Sequence, residues 1–184
     1  MRTIAMHLIT EQVKQSVIDI NYHLDESLVN LFRKAKAKET NKTASAILDD
    51  LIVNQDIAAK GDVPLCQDTG LVVVYVEIGR DVHLDGDLYQ AINDGVRAGY
   101  DEGYLRKSVV SHPFQRTNTG DNTPAVIHVS LVEGDQLKMK IAAKGGGSEN
   151  MSLVKMLTPA DGIAGVKKLV LDTIFHAGGK PCPP

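Results

Sequence analysis

Apolar residues recur at helical spacing along the first third of the chain. Ile9, Val13, Val17, Ile18 and Ile20 mark one segment, with Thr10 as its expected N-cap. A second segment begins near Asp25 and carries Leu28, Leu31, Phe32 and Ala35. Lys34, Lys36 and Lys38 lie towards its end, where positive charge suits the helix dipole. A third runs from about Thr43 to Ala59 through Ala46, Ile47, Leu51, Ile52 and Ile57, and Gly61 stops it. The pattern changes at that glycine. "LVVVYVEIG" at 71–79 is β-branched and of strand length, and its near-continuous hydrophobicity predicts a strand buried on both faces. Residues 85–101 read as a helix, with Leu88, Ile92, Val96 and Tyr100 at every fourth position. "AVIHVSLV" and "QLKMKIAA" flank a turn at Gly134 and predict a hairpin with Lys138 and Lys140 on its wet face. Thr158, Pro159 and Asp161 supply the N-cap, N1 and N3 positions of a last helix, which Gly178 and Gly179 end near His176.

The elements define an α/β (α+β) chain: a helical N-terminal layer over residues 1–60, then a mixed sheet with flanking helices over 61–184. Hydrophobic residues at 43% suffice for a core, and with aromatics at 4% that core must be aliphatic. Twenty basic against 23 acidic side chains give a net charge of −3, which argues against nucleic acid as the main partner. No run of 18 apolar residues is present, so no membrane span is expected. Arg2 is followed by no apolar segment of the secretory type, and the expected location is cytoplasmic. Cys66 and Cys182 exclude a disulfide-rich scaffold and leave open one disulfide or two functional thiols.

Three polar, glycine-bearing stretches carry the candidate chemistry. "PLCQDTG" places Cys66 beside Gln67 and Asp68, and a lone loop cysteine is a nucleophile, a metal ligand or an inert thiol. In "KGGGSEN" the lysine precedes the glycines, so the stretch is no P-loop, but bare backbone N–H groups suit a carboxylate. The segment 106–124 offers Arg106, Lys107 and Arg116 for anions, with Asn118 and Asn122 nearby, and its length points to a site or an interface. The ending "HAGGKPCPP" puts a cysteine between prolines, a rigid feature more at home inside a chain. The expectation is that the natural polypeptide continues.

"PLCQDTG", "KGGGSEN" and "GGKPCPP", in that order, resemble the alpha-type region of the iron–sulfur hydro-lyases, the family of class I fumarate hydratases and L-tartrate dehydratases. The resemblance covers the chain from Ile9 onward and is closest to the separate alpha subunit of two-subunit forms. It implies a [4Fe–4S] cluster held by three cysteines, with Cys66 as the first ligand and Cys182 as the second. This chain has no residue for the third. It further implies that an open iron acts as Lewis acid on the substrate. By the same resemblance, Gln67 and Asp68 are expected to line the substrate pocket, Asp68 being the candidate catalytic residue. Arg106 matches an arginine that clamps a substrate carboxylate, and Gly146 and Gly147 resemble the contacts to the other end of a small dicarboxylate. The resemblance also implies that the general base comes from a beta subunit.

The implied reaction is reversible hydration of fumarate to (S)-malate. The alternatives are L-tartrate dehydration to oxaloacetate and a non-catalytic assembly subunit that keeps the fold. This chain alone is expected to fold, to be inactive without its partner and cluster, and to self-associate as a homo-oligomer. With the beta subunit of the same hydro-lyase, a homo-oligomer or heterotetramer is expected. Cys66 and Cys182 are expected to be thiols, able to pair only if their Cα atoms come within about 7 Å.

Overall fold

A computed structural model describes residues 2–61 and 63–180 of the chain. They fall into two compact units, one reaching Lys144 and the other starting at Gly145.

The first unit has an α/β architecture. Strand β1 (Arg2–Ile4) leads into helix α1 (Met6–Tyr22), followed by α2 (Glu26–Lys38) and α3 (Lys42–Ala58). Strand β2 (Leu71–Gly79), strand β3 (Val82–Leu84), helix α4 (Leu88–Glu102), and strands β4 (Val126–Val132) and β5 (Leu137–Lys144) complete it. The three helical segments and the helix after β2 thus stand where the periodicity placed them. Asp25, Asn41 and Asp87 cap α2, α3 and α4 by accepting from backbone N–H groups of each first turn.

Thr10 is not a cap. Helix α1 starts four residues earlier, because β1 pairs in parallel with β3 and brings Asp85 to the helix start. The Met6 N–H donates to Asp85 Oδ1 at 2.8 Å, so a residue far along the chain serves the exposed first turn. Thr10 instead lies inside the helix and donates its hydroxyl to the Ala91 carbonyl of α4 at 3.0 Å.

The expected hairpin is also corrected. The three-stranded sheet has the order β4–β2–β5, with β2 parallel to β4 and antiparallel to β5. The apolar run of β2 takes the centre, and the β4–β5 connection crosses its end. There the Gly79 N–H donates to Gln136 O at 2.8 Å, and the Asp81 N–H donates to Gly134 O at 3.0 Å. A Cβ on Gly79 would lie 2.2 Å from Gly134 O, so only glycine fits under the crossing. Lys138 and Lys140 do lie on the exposed side, opposite Glu77 and Tyr75.

Strand β2 is buried on one face rather than both. Val72, Val74, Val76 and Ile78 point into the core, while Leu71, Tyr75 and Glu77 are exposed. The inner face packs on Ile9, Val13 and Val17 of α1 and on Ile92, Val96 and Tyr100 of α4. Tyr75 stacks on His128 of β4 across the outer face, with ring centroids 5.0 Å apart.

The second unit contains a one-turn helix α5 (Gly146–Glu149), a 3-10 turn (Pro159–Asp161) and helix α6 (Gly162–Ala177). The Thr158 N–H and hydroxyl both donate to Asp161 Oδ2 at 2.7 Å, as the capping pattern in the sequence anticipates. That pattern closes the 3-10 turn just before α6. Gly178 ends α6 with φ 53, in the left-handed region.

Candidate active site

The loop that carries Cys66 leaves α3 and is pinned before the cysteine. The Leu65 N–H donates to Asn21 O at 2.8 Å, and Asn54 Nδ2 donates to Leu65 O at 2.9 Å. These contacts tie the loop to the ends of α1 and α3. Cys66 is a free, exposed thiol, and its sulfur accepts the Asp68 N–H at 3.4 Å. The Asp68 carboxylate accepts from the Gly70 N–H at 3.2 Å, which curls the chain back towards the start of β2.

Arg106 reaches this loop from the segment that follows α4. Its Nη1 donates to Gln67 Oε1 at 2.7 Å and its Nη2 to Asp68 Oδ1 at 3.3 Å. The guanidinium therefore spans both side chains next to the cysteine. The Arg106 and Asp68 side chains keep 55% and 25% of their accessible surface, so the cluster opens to solvent. Lys107 points elsewhere and pairs with Asp101 at 3.0 Å.

A buried polar layer supports the loop. Thr69 donates its hydroxyl to Arg106 O at 2.7 Å. The Tyr100 hydroxyl is directed at Thr69 O (2.5 Å) and Gly70 O (3.2 Å). Burial pushes the Tyr100 phenol up to about 12, against the opposing effect of its hydrogen-bond partners Asn122 and Thr69. Asn122 donates to Gly70 O at 3.1 Å. In the sequence Tyr100 reads only as part of an apolar helix face, Thr69 only as a member of "PLCQDTG" with no role of its own, and Asn122 as one polar loop residue among several. The "TGDNTP" turn signature around Asn122 marks a bend, but burial is not written in it.

The structure thus brings Cys66, Gln67, Asp68 and Arg106 together. Gly146 and Gly147 belong to the second unit, where they form the first half of α5 rather than an open loop. Cys182 lies outside the described residues. Among the described residues, no three His, Cys, Asp or Glu side chains are grouped to hold a metal ion, and no helix is long and apolar enough to cross a membrane.

The α/β scaffold presents an exposed thiol beside a carboxylate, an amide and a guanidinium, groups whose chemistry suits a small anion and a soft metal. Comparison with known proteins gives the family. The model of the family described as fumarate hydratase (Fumerase) matches residues 10–184. The chain is 42% identical over 170 residues to the "Putative L(+)-tartrate dehydratase subunit alpha" of Methanocaldococcus jannaschii, covering 88% of this chain and 59% of that protein. It is 32% identical over 192 residues to "Fumarate hydratase class I, aerobic" of Salmonella typhimurium, covering 98% of this chain and 32% of that protein. With the "L(+)-tartrate dehydratase subunit alpha" of Escherichia coli it shares 28% identity over 184 residues, covering 98% of this chain and 60% of that protein. The chain belongs to the fumarate hydratase (Fumerase) family, as its three motifs imply. It spans less than two thirds of the length of these relatives.

Proposed function

We propose that the chain is the alpha-type part of a hydro-lyase that adds water reversibly to fumarate to give (S)-malate. The observation that carries this reading is the Arg106 guanidinium held across Gln67 and Asp68 beside an exposed Cys66 thiol. A guanidinium fork matches a planar carboxylate, and a small dicarboxylate offers two. On binding, one substrate carboxylate takes up the exposed donors of Arg106, and the side chains of Gln67 and Asp68 orient the rest of the molecule. The Gly70 N–H on the Asp68 carboxylate holds that side chain in place. The base that removes a proton from the carbon next to the carboxylate belongs to a beta subunit, so the active site is completed where the two parts meet. The "subunit alpha" in the names of the tartrate relatives supports such a partner.

Cys66 suits an iron–sulfur ligand: its sulfur is accessible, and it already accepts a backbone N–H, the kind of hydrogen bond that stabilises cluster thiolates. Cys182 is the proposed second ligand, and a three-thiolate attachment draws its third from outside these 184 residues, which hold two cysteines. A bound [4Fe–4S] cluster supplies a Lewis acid for the substrate hydroxyl. The 184-residue chain alone is expected to fold and to hold no intact cluster.

A second reading, L-tartrate dehydration to oxaloacetate, is favoured by the 42% identity to the archaeal protein of that name. Comparing turnover of fumarate and L-tartrate by the anaerobically reconstituted alpha–beta complex decides between them. Loss of iron and of turnover is expected in the Cys66→Ser complex. Full iron content and full turnover in that variant contradict the ligand assignment.

A further inference from the structure

We propose that Asn122 is the positioning residue of this site, setting the placement of Arg106 relative to Gln67 and Asp68. The proposal rests on the reading of Arg106 as the substrate clamp. Asn122 is fully buried, and its side chain joins two segments that are far apart in sequence. Its Oδ1 accepts from the Ser108 N–H at 2.6 Å and the Val109 N–H at 3.0 Å, two and three residues after Arg106. Its Nδ2 donates to Gly70 O at 3.1 Å, immediately after the Cys66–Thr69 stretch. One amide thus binds the arginine segment through its oxygen and the cysteine loop through its nitrogen.

The position demands asparagine in two ways. The backbone φ is 62, in the left-handed region that asparagine tolerates better than most residues with a Cβ. The side chain must accept two N–H groups and donate to a carbonyl within the reach of one methylene. Aspartate lacks the donor, and glutamine is a methylene too long. The corner itself is held from behind. Asp121 accepts from the Thr123 N–H at 3.0 Å and pairs with Arg97 of α4, also at 3.0 Å. The reference frame is therefore α4, the same helix whose Tyr100 hydroxyl supports Thr69.

Asn122→Asp separates the two halves of the link. It keeps the left-handed backbone and the acceptor for Ser108 and Val109, and it sets an oxygen against Gly70 O. In the complete alpha–beta complex, this variant is expected to lower kcat/KM at least tenfold, mainly through KM, with iron content unchanged. If Asn122 acts through Arg106, the same substitution in an Arg106→Ala background changes kcat/KM less than twofold. An equal loss in both backgrounds, or no loss in the wild-type background, overturns the proposal. Asn122→Gly, which suits the backbone and removes both links, is read by the same criterion should the aspartate variant not assemble. If the wild-type complex turns over neither fumarate nor L-tartrate, the functional reading fails, and hydrogen exchange of the 184-residue chain still tests the link. Asn122→Asp is expected to speed exchange at the Asp68 and Gly70 amides at least tenfold while Ser108 and Val109 stay protected. Unchanged exchange at Asp68 and Gly70, or equal acceleration at all four amides, overturns it.

Discussion

Helices α4 and α6 are nearly equal in length, 15 and 16 residues, yet they differ completely in burial. Helix α4 buries Leu88, Ile92, Val96 and Tyr100, whereas α6 buries no residue although it carries Ile163, Val166, Leu171, Ile174 and Phe175. Apolar content alone does not make a core element. What α4 has is a surface shaped for its neighbour. Gly95 and Gly99 lie one turn apart against α1, and a Cβ on Gly95 would meet Thr10 O at 2.6 Å and the Val13 Cβ at 2.7 Å. Backbone approach on that scale lets the bulky residues on either side reach β2.

The largest effects are expected in α4. Ile92→Ala should cost about 2–5 kcal/mol and Gly95→Ala about 1–3 kcal/mol, read as lowered urea midpoints. A wild-type midpoint in either variant breaks the contrast with α6. Tyr100→Phe should cost about 1–3 kcal/mol, because Thr69 O loses its donor in a buried setting. That variant should also speed exchange in the Cys66–Gly70 loop, which ties the core helix to the site.

Acid sharpens the same link about one turn earlier along α4, where Arg97 meets Asp121. Hydrogen bonds from Thr123, together with Arg97, hold the Asp121 carboxyl down at about 2, against an ordinary 3.8. A depressed carboxyl contributes stability above its unfolded value and loses it as pH falls through the folded one. The loss attributable to Asp121 is therefore expected between about pH 4 and pH 2, and it should vanish in Asp121→Asn. The smallest effect is expected in α6, where Leu171→Ser should shift stability of the chain by no more than about 0.5 kcal/mol.

The elements with a strong period were legible in the sequence. The helices at 6–22, 26–38, 42–58 and 88–102 and the central strand all carry one, and α2 begins next to Asp25, where the pattern placed its start. Partners were not legible. Strands β4 and β5 look like a hairpin because alternation reports a strand and a short turn, and says nothing of a third strand lying between them. The continuous apolar run of β2 likewise promised two covered faces, while Tyr75 stands 53% exposed. The three-residue strands β1 and β3 are too short for any pattern, and Asp85 capping α1 across 79 positions leaves no local trace.

Within the site, Cys66, Gln67, Asp68 and Arg106 were legible because motif and charge type carry them. The layer beneath, formed by Thr69, Tyr100 and Asn122, was not. Its function depends on burial and on hydrogen bonds between distant segments. Polar residues in loops show no period from which burial can be read.

The most direct test of the site is the Michaelis constant of the proposed alpha–beta complex carrying Arg106→Ala, measured with whichever of the two proposed substrates, fumarate and L-tartrate, the wild-type complex turns over. The expected result is a rise of at least tenfold with iron content unchanged, since the guanidinium that spans Gln67 and Asp68 is proposed as the carboxylate clamp. A KM and a kcat both equal to those of the wild-type complex would contradict it and remove Arg106 from the site.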